Sequence, residues 1–318
     1  MANGKNNDKF KCPVCGGCSK TGIDSYKHTW VSCNDCGNVF RKRKERYLFS
    51  RLIPHNIARM FLSDRLRSNL YAMEDIREDE SLFYDYYASV SATNVEETKW
   101  APLFDKLRNN LGKYGVDMTD KKVLDISGGP GFLTREIAKI AKKAVVTEYS
   151  QVSVDGMIKN LGINAVKFDY NTDDLSNVVS DKFDIIIIEY SINFCTNLKK
   201  FVASLREILN ERGVVYVSFC PPTLGCCIRW QFDEYTYNIL YQPETMAKIF
   251  QEEGFSLISG LSASWPDNHY SYSAKRPLMA RLSYLPYVFL ARAGNKSINR
   301  ELIQKSFMQL FMLEQKQH

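Results

Sequence analysis

The segment VLDISGGPGF, residues 123–132, decides the fold. An apolar run ends in Asp125, and after Ile126 and Ser127 three glycines and a proline precede Phe132. Glycine permits left-handed backbone and lets the main chain lie close to a ligand. A helix that begins after such a turn also points its free amide groups at the bound molecule. The segment therefore predicts a ligand-binding turn between a buried strand and a helix.

A strand-then-helix pattern extends in both directions from this turn. We expect strands at KKVLDIS, KAVVTEY, NAVKFDY, FDIIIIEY and GVVYVSF, and helices at FLTREIAKIAKK, VDGMIKNLG and LKKFVASLREILNERG. Further on, YQPETMAKIFQEEGF predicts one more helix, and SLISGLSA and PYVFLARA predict two closing strands. Strands that are apolar throughout are buried on both faces, as in a parallel sheet with helices on either side. The sequence therefore predicts an α/β fold.

The turn differs from two common nucleotide-binding loops. A dinucleotide-binding fold has G-x-G-x-x-G after its first strand, whereas Gly129-x-Gly131 is followed three residues later by Thr134. A phosphate-binding loop ends in Gly-Lys-Ser or Gly-Lys-Thr, and neither follows here. Both of these nucleotide classes are therefore disfavoured.

The turn resembles the first motif of class I S-adenosylmethionine-dependent methyltransferases. The family pattern is Asp-x-Gly-x-Gly-x-Gly, and this chain has Asp125-Ile-Ser127-Gly-Gly129-Pro-Gly131, with Ser127 in the place of the first glycine. The resemblance covers residues 84–292. It implies a Rossmann-like, doubly wound, seven-stranded methyltransferase sheet that binds S-adenosyl-L-methionine along the glycine turn.

Acidic residues at three later strand ends extend the resemblance. It implies that Glu148, in VVTEYS, accepts the ribose hydroxyls, with Tyr149 on the adenine. It places Asp169, in AVKFDYN, at the adenine amino group, and Glu189 where the methyl group meets its acceptor. The predicted cofactor-binding residues are Asp125, Ser127, Gly129, Gly131, Phe132, Glu148, Tyr149, Asp169, Tyr170 and Glu189.

No catalytic base can be assigned from the resemblance. Many sugar and small-molecule methyltransferases of this family have a histidine after the fourth strand, but Phe194 stands near that position here. Tyr190, Asn193 and His269 are weak candidates, because residues of these types more often serve packing or binding than proton transfer.

Four cysteines near the start have metal-binding spacing. Cys12-x-x-Cys15 and Cys33-x-x-Cys36 are each followed by glycine, and four thiolates select a tetrahedral zinc ion without an open position. We predict a structural Zn²⁺ in a four-cysteine zinc ribbon. The ribbon is either a folding clip on the main domain or, because Arg41 to Lys44 follow it, a recognition module for phosphates.

Composition bounds the cellular setting. The net charge is +6, and residues 1–70 contain 14 Lys or Arg against 5 Asp or Glu, so a polyanion would meet this end first. No stretch approaches the roughly 20 apolar residues of a membrane span, and MANGKNNDKFK lacks the apolar core of a secretory signal. We therefore predict a cytoplasmic protein with no membrane span.

These observations lead to a domain plan and to three functional hypotheses. The plan is a zinc ribbon at 1–45, a helical linker and cofactor lid at 46–110, a methyltransferase domain at 111–292 and a C-terminal helix at 293–318. The first hypothesis is methyl transfer to a small molecule or sugar in glycan or natural-product biosynthesis, because YQPETM resembles a stretch of such enzymes. The second is an RNA base methyltransferase whose ribbon binds RNA. The third is an inactive adaptor.

Overall fold

The computed structural model describes residues 11–20, 28–43, 95–222, 238–262 and 309–315. The strands are β1 (Ser19–Lys20), β2 (His28–Cys33), β3 (Val39–Arg43), β4 (Lys122–Asp125), β5 (Lys143–Glu148), β6 (Asn164–Lys167), β7 (Phe183–Glu189), β8 (Leu209–Phe219), β9 (Ile239–Leu240), β10 (Phe255–Ser262) and β11 (Gln309–Gln315). The helices are α1 (Val95–Gly112), α2 (Phe132–Ala138), α3 (Gln151–Leu161), α4 (Leu175–Val178), α5 (Leu198–Ile208) and α6 (Pro243–Glu252), and one 3₁₀ turn spans Ile192–Phe194.

The central sheet is parallel. Strands β8, β7, β4, β5 and β6 pair side by side in the same direction, and antiparallel β11 and β10 continue the sheet beyond β8. The strand order reverses at β4, so the chain winds outward from β4 in both directions. This confirms the predicted α/β fold with a parallel sheet, and it places the carboxyl ends of β4, β5 and β7 together.

Helices cover both faces of this sheet. On β7, Ile185 and Ile187 lie in a core cluster with residues of α1 and α2, whereas Ile186 and Ile188 lie in a cluster with residues of α5 and α6. Alternate residues of a strand point to opposite faces, so an all-isoleucine strand can fill two cores at once. The apolar run FDIIIIE is therefore a central strand, as predicted.

The C-terminal segment corrects one prediction. Residues 309–315 form β11, which pairs with Val214–Phe219 of β8 on one side and with β10 on the other, rather than a helix. The run QLFMLE is too short for periodicity to separate a buried strand from a buried helix, and the gap between β8 and β10 supplies backbone partners on both sides. The predicted helix at 293–318 is therefore wrong for 309–315, which belong to the central sheet.

Other element predictions hold with shifted ends. Helix α5 ends at Ile208, five residues before the predicted end, and α2 ends at Ala138. SLISGLSA falls in β10, and YQPETMAKIFQEEGF contains α6. The strand predicted at PYVFLARA, the linker before residue 95 and His269 lie outside the described residues.

A second sheet joins the cysteine segment to the main domain. We call residues 11–20 and 28–43 the cysteine knuckle. Its strands β1, β2 and β3 pair antiparallel, and β3 then pairs with β9, which lies between β8 and α6 in the chain. The knuckle is thus hydrogen-bonded to the domain that carries the glycine turn. Over the described part of the chain, no helix combines the length and hydropathy needed to cross a membrane.

Candidate active site

The glycine turn lies at the carboxyl end of β4, as predicted. Ser127, Gly129 and Gly131 all have left-handed backbone, with φ of 54°, 60° and 79°. Gly131 is the N-cap of α2, and its left-handed backbone favours glycine; a Cβ there would also lie 2.5 Å from the Met157 sulfur on α3. Ser127 adopts a left-handed conformation that glycine reaches freely, at a cost of about 1–2 kcal/mol for a residue with a side chain.

Asp125 is buried beneath the turn. It is 1% exposed, and its Oδ2 accepts a 2.6 Å hydrogen bond from Thr134 Oγ1 on α2. Its Oδ1 is buried without a hydrogen-bond partner among the described residues. Burial raises the pKa of Asp125 to about 6. A buried acceptor without a donor is costly, so this oxygen suits a ligand that brings a donor, such as an ammonium group.

Glu148 ends β5 and contacts the turn directly. Its Oε2 accepts a 2.9 Å hydrogen bond from Gly129 N, and its Oε1 accepts a 2.8 Å bond from Tyr149 N. The side chain is buried, and this burial raises its pKa to about 7, with a further contribution from nearby Asp125. Tyr149 is 38% exposed, which leaves its ring accessible for stacking.

Glu189 ends β7 on the other side of β4. Its Oε2 accepts a 2.9 Å hydrogen bond from Ser218 Oγ, and Ser218 Oγ in turn accepts one of 3.1 Å from Tyr190 N. Burial raises the pKa of Glu189 to about 7, the charge of Lys106 lowers it, and that of Asp125 raises it. Three neighbouring strands therefore end in carboxyl groups with raised pKa values, and a positively charged ligand would stabilise their ionised forms.

Asp169 and Tyr170 follow the carboxyl end of β6. Asp169 Oδ1 accepts a 2.9 Å hydrogen bond from Asn171 N and so caps the turn after β6. The ring of Tyr170 packs edge-on against Phe168 and Phe201, at centroid distances of 5.3 and 4.8 Å. Tyr170 thus lies in the core on the α5 side.

The hydroxyl of Tyr170 nevertheless reaches the glycine turn through one serine. It lies 2.7 Å from Ser191 Oγ, which donates a 3.0 Å hydrogen bond to the carbonyl of Ile126. Tyr170 and Ser191 therefore tie the segment after β7 to the start of the turn.

The remaining predicted residues have separate placements. Phe132 is buried at the start of α2, and its ring lies 5.2 Å beneath the Arg135 guanidinium. Tyr190 has left-handed backbone with φ of 59°, directly after Glu189. His269 lies outside the described residues.

Asn193 is a structural clamp in this geometry. Its Nδ2 donates to the carbonyls of Cys220 and Ile239, at 3.0 and 2.7 Å, and its Oδ1 accepts a 2.8 Å bond from Cys220 N. With 0% exposure and all polar atoms of its amide engaged, Asn193 joins β8, β9 and the 3₁₀ turn. The arrangement assigns Asn193 to positioning the chain rather than to moving a proton.

The four predicted metal ligands converge. The Sγ atoms of Cys12, Cys15, Cys33 and Cys36 all lie within 4.8 Å of one another. The Cys12–Cys36 and Cys15–Cys33 sulfur pairs are 3.7 and 3.5 Å apart. Four sulfurs at about 2.3 Å from one zinc ion stand about 3.8 Å apart in a tetrahedron, so the donor set fits Zn²⁺ in type and spacing.

Four hydroxyl-bearing residues that support the site were not found from the sequence. They are Thr134, Thr147, Ser191 and Ser218, of which Thr147 Oγ1 accepts a 3.1 Å hydrogen bond from Ser127 N. A threonine three residues after Gly131 was visible as a departure from the dinucleotide motif, but nothing in the sequence showed that it reaches back to Asp125.

Comparison with known proteins identifies the class. The family model described as "Methyltransferase domain" matches residues 95–259, which is more than half of the chain. The chain therefore belongs to the methyltransferase-domain family, and with it to the S-adenosylmethionine-dependent methyltransferase fold. No curated protein matches the sequence.

Solved structures similar to this chain include methyltransferases. One similar structure is the complex between the Haloferax volcanii Trm112 methyltransferase activator and the putative methyltransferase, at 11% identity over 74% of this chain and 98% of that chain, with a TM-score of 0.50. Another is the N-methyltransferase NodS from Bradyrhizobium japonicum in complex with S-adenosyl-L-homocysteine, at 12% identity over 74% and 99%, with a TM-score of 0.46. A third is an S-adenosylmethionine-dependent methyltransferase from Mesorhizobium loti, at 12% identity over 65% and 96%, with a TM-score of 0.46.

Proposed function

We propose that the protein transfers the methyl group of S-adenosylmethionine to a small-molecule or sugar acceptor. The observation that carries the cofactor part is the meeting of a left-handed glycine turn with Asp125 and Glu148 at the ends of adjacent parallel strands. Doubly wound sheets bind their ligands at this edge, where the strand order reverses. The residues present fit the cofactor.

Each residue of the site has a distinct task in this proposal. Gly129 and Gly131 let the backbone lie against the amino-acid part of the cofactor. Asp125 Oδ1, which lacks a donor in the described structure, accepts from its ammonium group. Glu148 accepts from the ribose hydroxyls, and the exposed ring of Tyr149 stacks on the adenine.

The bound cofactor supplies an activated methyl group, so the protein has mainly to orient the acceptor and to exclude water. Glu189 and Tyr190 end β7 beside Asp125 and are proposed to line the acceptor side. An oxygen acceptor also needs a base, and Glu189, whose pKa is raised to about 7, has the proton affinity suited to that task near neutral pH.

The acceptor class is supported by the YQPETM stretch, which forms the start of α6 after β9. The test is transfer of labelled methyl from S-adenosylmethionine to separate acceptor pools of nucleotide sugars, small phenolic and amine metabolites, and total RNA. Labelled product from the small-molecule pools supports the proposal. Label in RNA alone, with binding that weakens steeply as salt rises, would replace it with the RNA hypothesis. Binding of the cofactor without transfer to any pool would favour the adaptor hypothesis.

We also propose that the cysteine knuckle holds one structural Zn²⁺ and that β10 and β11 complete the seven-stranded sheet of the methyltransferase domain. The sulfur spacing and the strand order support these two points. Elemental analysis of the purified protein should give one zinc per chain. Cys33→Ser should lose it, whereas Cys18→Ser, which changes an exposed cysteine outside the cluster, should keep it. Full zinc retention in Cys33→Ser would contradict the four-thiolate site.

A further inference from the structure

The second Cys-x-x-Cys turn of the cysteine knuckle is hydrogen-bonded to the start of α6. Asn38 Oδ1 accepts a 2.6 Å hydrogen bond from Gln242 N, and Gln242 Nε2 donates a 3.1 Å bond to the carbonyl of Gly37. Thr245 Oγ1 donates to the carbonyl of Cys36 at 3.2 Å. Three consecutive residues of the knuckle, one of them a predicted metal ligand, therefore contact the first turn of a helix some 200 residues later.

The contact between the knuckle and the 238–242 segment is buried. Asn38 is 0% exposed, and Val31 and Phe40 of the knuckle lie in the same hydrophobic cluster as Ile239 and Tyr241. The backbone of β3 pairs with β9 through Phe40 and Ile239. An interface that excludes water and continues a sheet fixes β9 far more rigidly than a surface contact would.

The other side of the 238–241 segment holds the chain that follows β7. Asn193 Nδ2 donates to the Ile239 carbonyl at 2.7 Å, and Asn238 N donates to the Asn193 carbonyl at 3.1 Å. Tyr241 Oη donates to the Cys195 carbonyl at 2.5 Å. The 193–195 turn begins only a few residues after Glu189, on the proposed acceptor side of the site. One short segment thus contacts the knuckle on one side and the 193–195 turn on the other.

A structural zinc site provides the two states that a switch requires. A knuckle of this size folds when its thiolates bind the metal and unfolds when the metal is removed. When it unfolds, the bonds from Asn38 to Gln242 and from β3 to β9 are lost together. The 238–241 segment then keeps only its contacts with the 193–195 turn.

We propose that Asn38 is a positioning residue through which the metal-loaded knuckle holds the acceptor-side wall of the site, so that metal loading and cofactor occupancy are linked. This rests on the proposed function only for the identity of the cofactor. Linkage is reciprocal, so whatever factor the metal adds to cofactor affinity, the cofactor adds to metal affinity.

The first experiment needs no cofactor. Amide hydrogen exchange is measured on the full chain, zinc-loaded and after metal removal under reducing conditions. We expect the amides of 238–241 and 193–195 to exchange at least about tenfold faster without metal, while those of β4 and β5 keep their rates. Unchanged exchange at 238–241 after metal removal would overturn the proposal, whatever the protein binds.

The second experiment tests the linkage with S-adenosylhomocysteine as the probe. Its affinity is measured with and without zinc, and zinc affinity is measured by competition with a chromogenic chelator, with and without the probe. We expect the probe to bind roughly tenfold more tightly to the zinc-loaded chain and the chain to hold zinc more tightly by the same factor, within the usual range of allosteric coupling. Binding of the probe that is independent of zinc would overturn the proposal. A wild-type chain that binds no probe would instead overturn the proposed function, and the exchange experiment would still decide whether the metal-loaded knuckle holds 238–241 and 193–195.

Matched variants separate positioning from folding. Asn38→Ala removes the 2.6 Å bond but leaves all four cysteines, so we expect one zinc per chain, probe binding and little coupling between them. Asn34→Ala changes an exposed asparagine of the same turn and should keep the coupling. Asn38→Asp keeps an acceptor oxygen at the first turn of α6, where negative charge is favoured, and should therefore keep the coupling between zinc and the probe.

Should Asn38→Ala fail to fold, Thr245→Val removes a separate bond between the same two elements and should also weaken the coupling. Full coupling in both Asn38→Ala and Thr245→Val would show that the contact does not transmit metal loading to the site.

Discussion

The affinity for S-adenosylhomocysteine should depend on the ionisation of Glu148. Burial raises the pKa of this carboxyl group from its ordinary value of 4.5 to about 7. Ribose hydroxyls donate hydrogen bonds to an ionised carboxylate, so binding below pH 7 requires the loss of a proton. About one-tenth of the sites are ionised at pH 6 and about nine-tenths at pH 8, given a pKa near 7. Affinity should therefore rise about tenfold between these two pH values.

The same shift sets the sign of the stability change. Between pH 4.5 and 7 the folded protein retains a proton on Glu148 that the unfolded chain has released. The free energy of unfolding therefore falls as the pH rises through this window, by up to about 3 kcal/mol for this group at about 1.4 kcal/mol per tenfold change. Asp125, with its pKa raised to about 6, contributes in the same direction over a lower window.

Isothermal titration calorimetry in two buffers of different ionisation enthalpy measures both the affinity and the number of protons released. We expect the wild type to release close to one proton more than Glu148→Gln at pH 6, and almost the same number at pH 8. Glu148→Gln should bind more weakly, by about 1.5–3 kcal/mol for each charge-assisted bond lost, and should keep only the smaller pH dependence that Asp125, with a pKa of about 6, contributes. Glu207→Gln, which changes an exposed glutamate on α5, should behave as the wild type. An affinity that stays constant from pH 6 to 8 in the wild type would refute this placement of the ribose.

Three further perturbations test the supporting structure. Thr134→Val leaves Asp125 Oδ2 without its 2.6 Å donor, so the free energy of unfolding should fall by about 1–3 kcal/mol in urea titrations. The loss should be larger at pH 8 than at pH 5, because the ionised carboxylate depends more on this donor. An equal loss at both pH values would contradict this role of Thr134. Asn193→Ala breaks three buried hydrogen bonds and should lower the free energy of unfolding by about 2–4 kcal/mol. Asn197→Ala, at an exposed helix cap, should lower it by about 1 kcal/mol. Equal losses would contradict the structural role of Asn193. Deletion of 309–318 leaves β8 and β10 without the strand between them, and circular dichroism should show loss of cooperative unfolding; an unchanged transition would contradict the placement of β11.

The local parts of the site could be predicted from the sequence. Asp125, the glycine turn and Glu148 each end or follow an apolar strand, and parallel strands bring their carboxyl ends to one edge without any knowledge of side-chain packing. The convergence of the four cysteines could likewise be predicted from their spacing alone, because two Cys-x-x-Cys turns are enough to suggest a tetrahedral site.

Contacts between distant segments could not be predicted. Asn38 meets Gln242 across more than 200 residues, and nothing in the local pattern of either residue indicates the other. Asn193 is a catalytic candidate by sequence because it follows the fourth strand of the domain, but its partners Cys220 and Ile239 come from two later elements that enclose it completely. The helix predicted over 309–315 was wrong because the backbone partners of this segment, β8 and β10, lie far away in the sequence. A short apolar run does not show by itself whether such partners exist.

The measurement that tests the central claim most directly is a crystal structure of the zinc-loaded chain grown with S-adenosylhomocysteine. The account predicts that the ribose hydroxyls lie within hydrogen-bonding distance of the Glu148 carboxylate, that the ammonium group reaches Asp125, and that the homocysteine runs along the backbone of Gly129 to Gly131. A cofactor bound elsewhere in the molecule, or no binding at millimolar concentration, would contradict it.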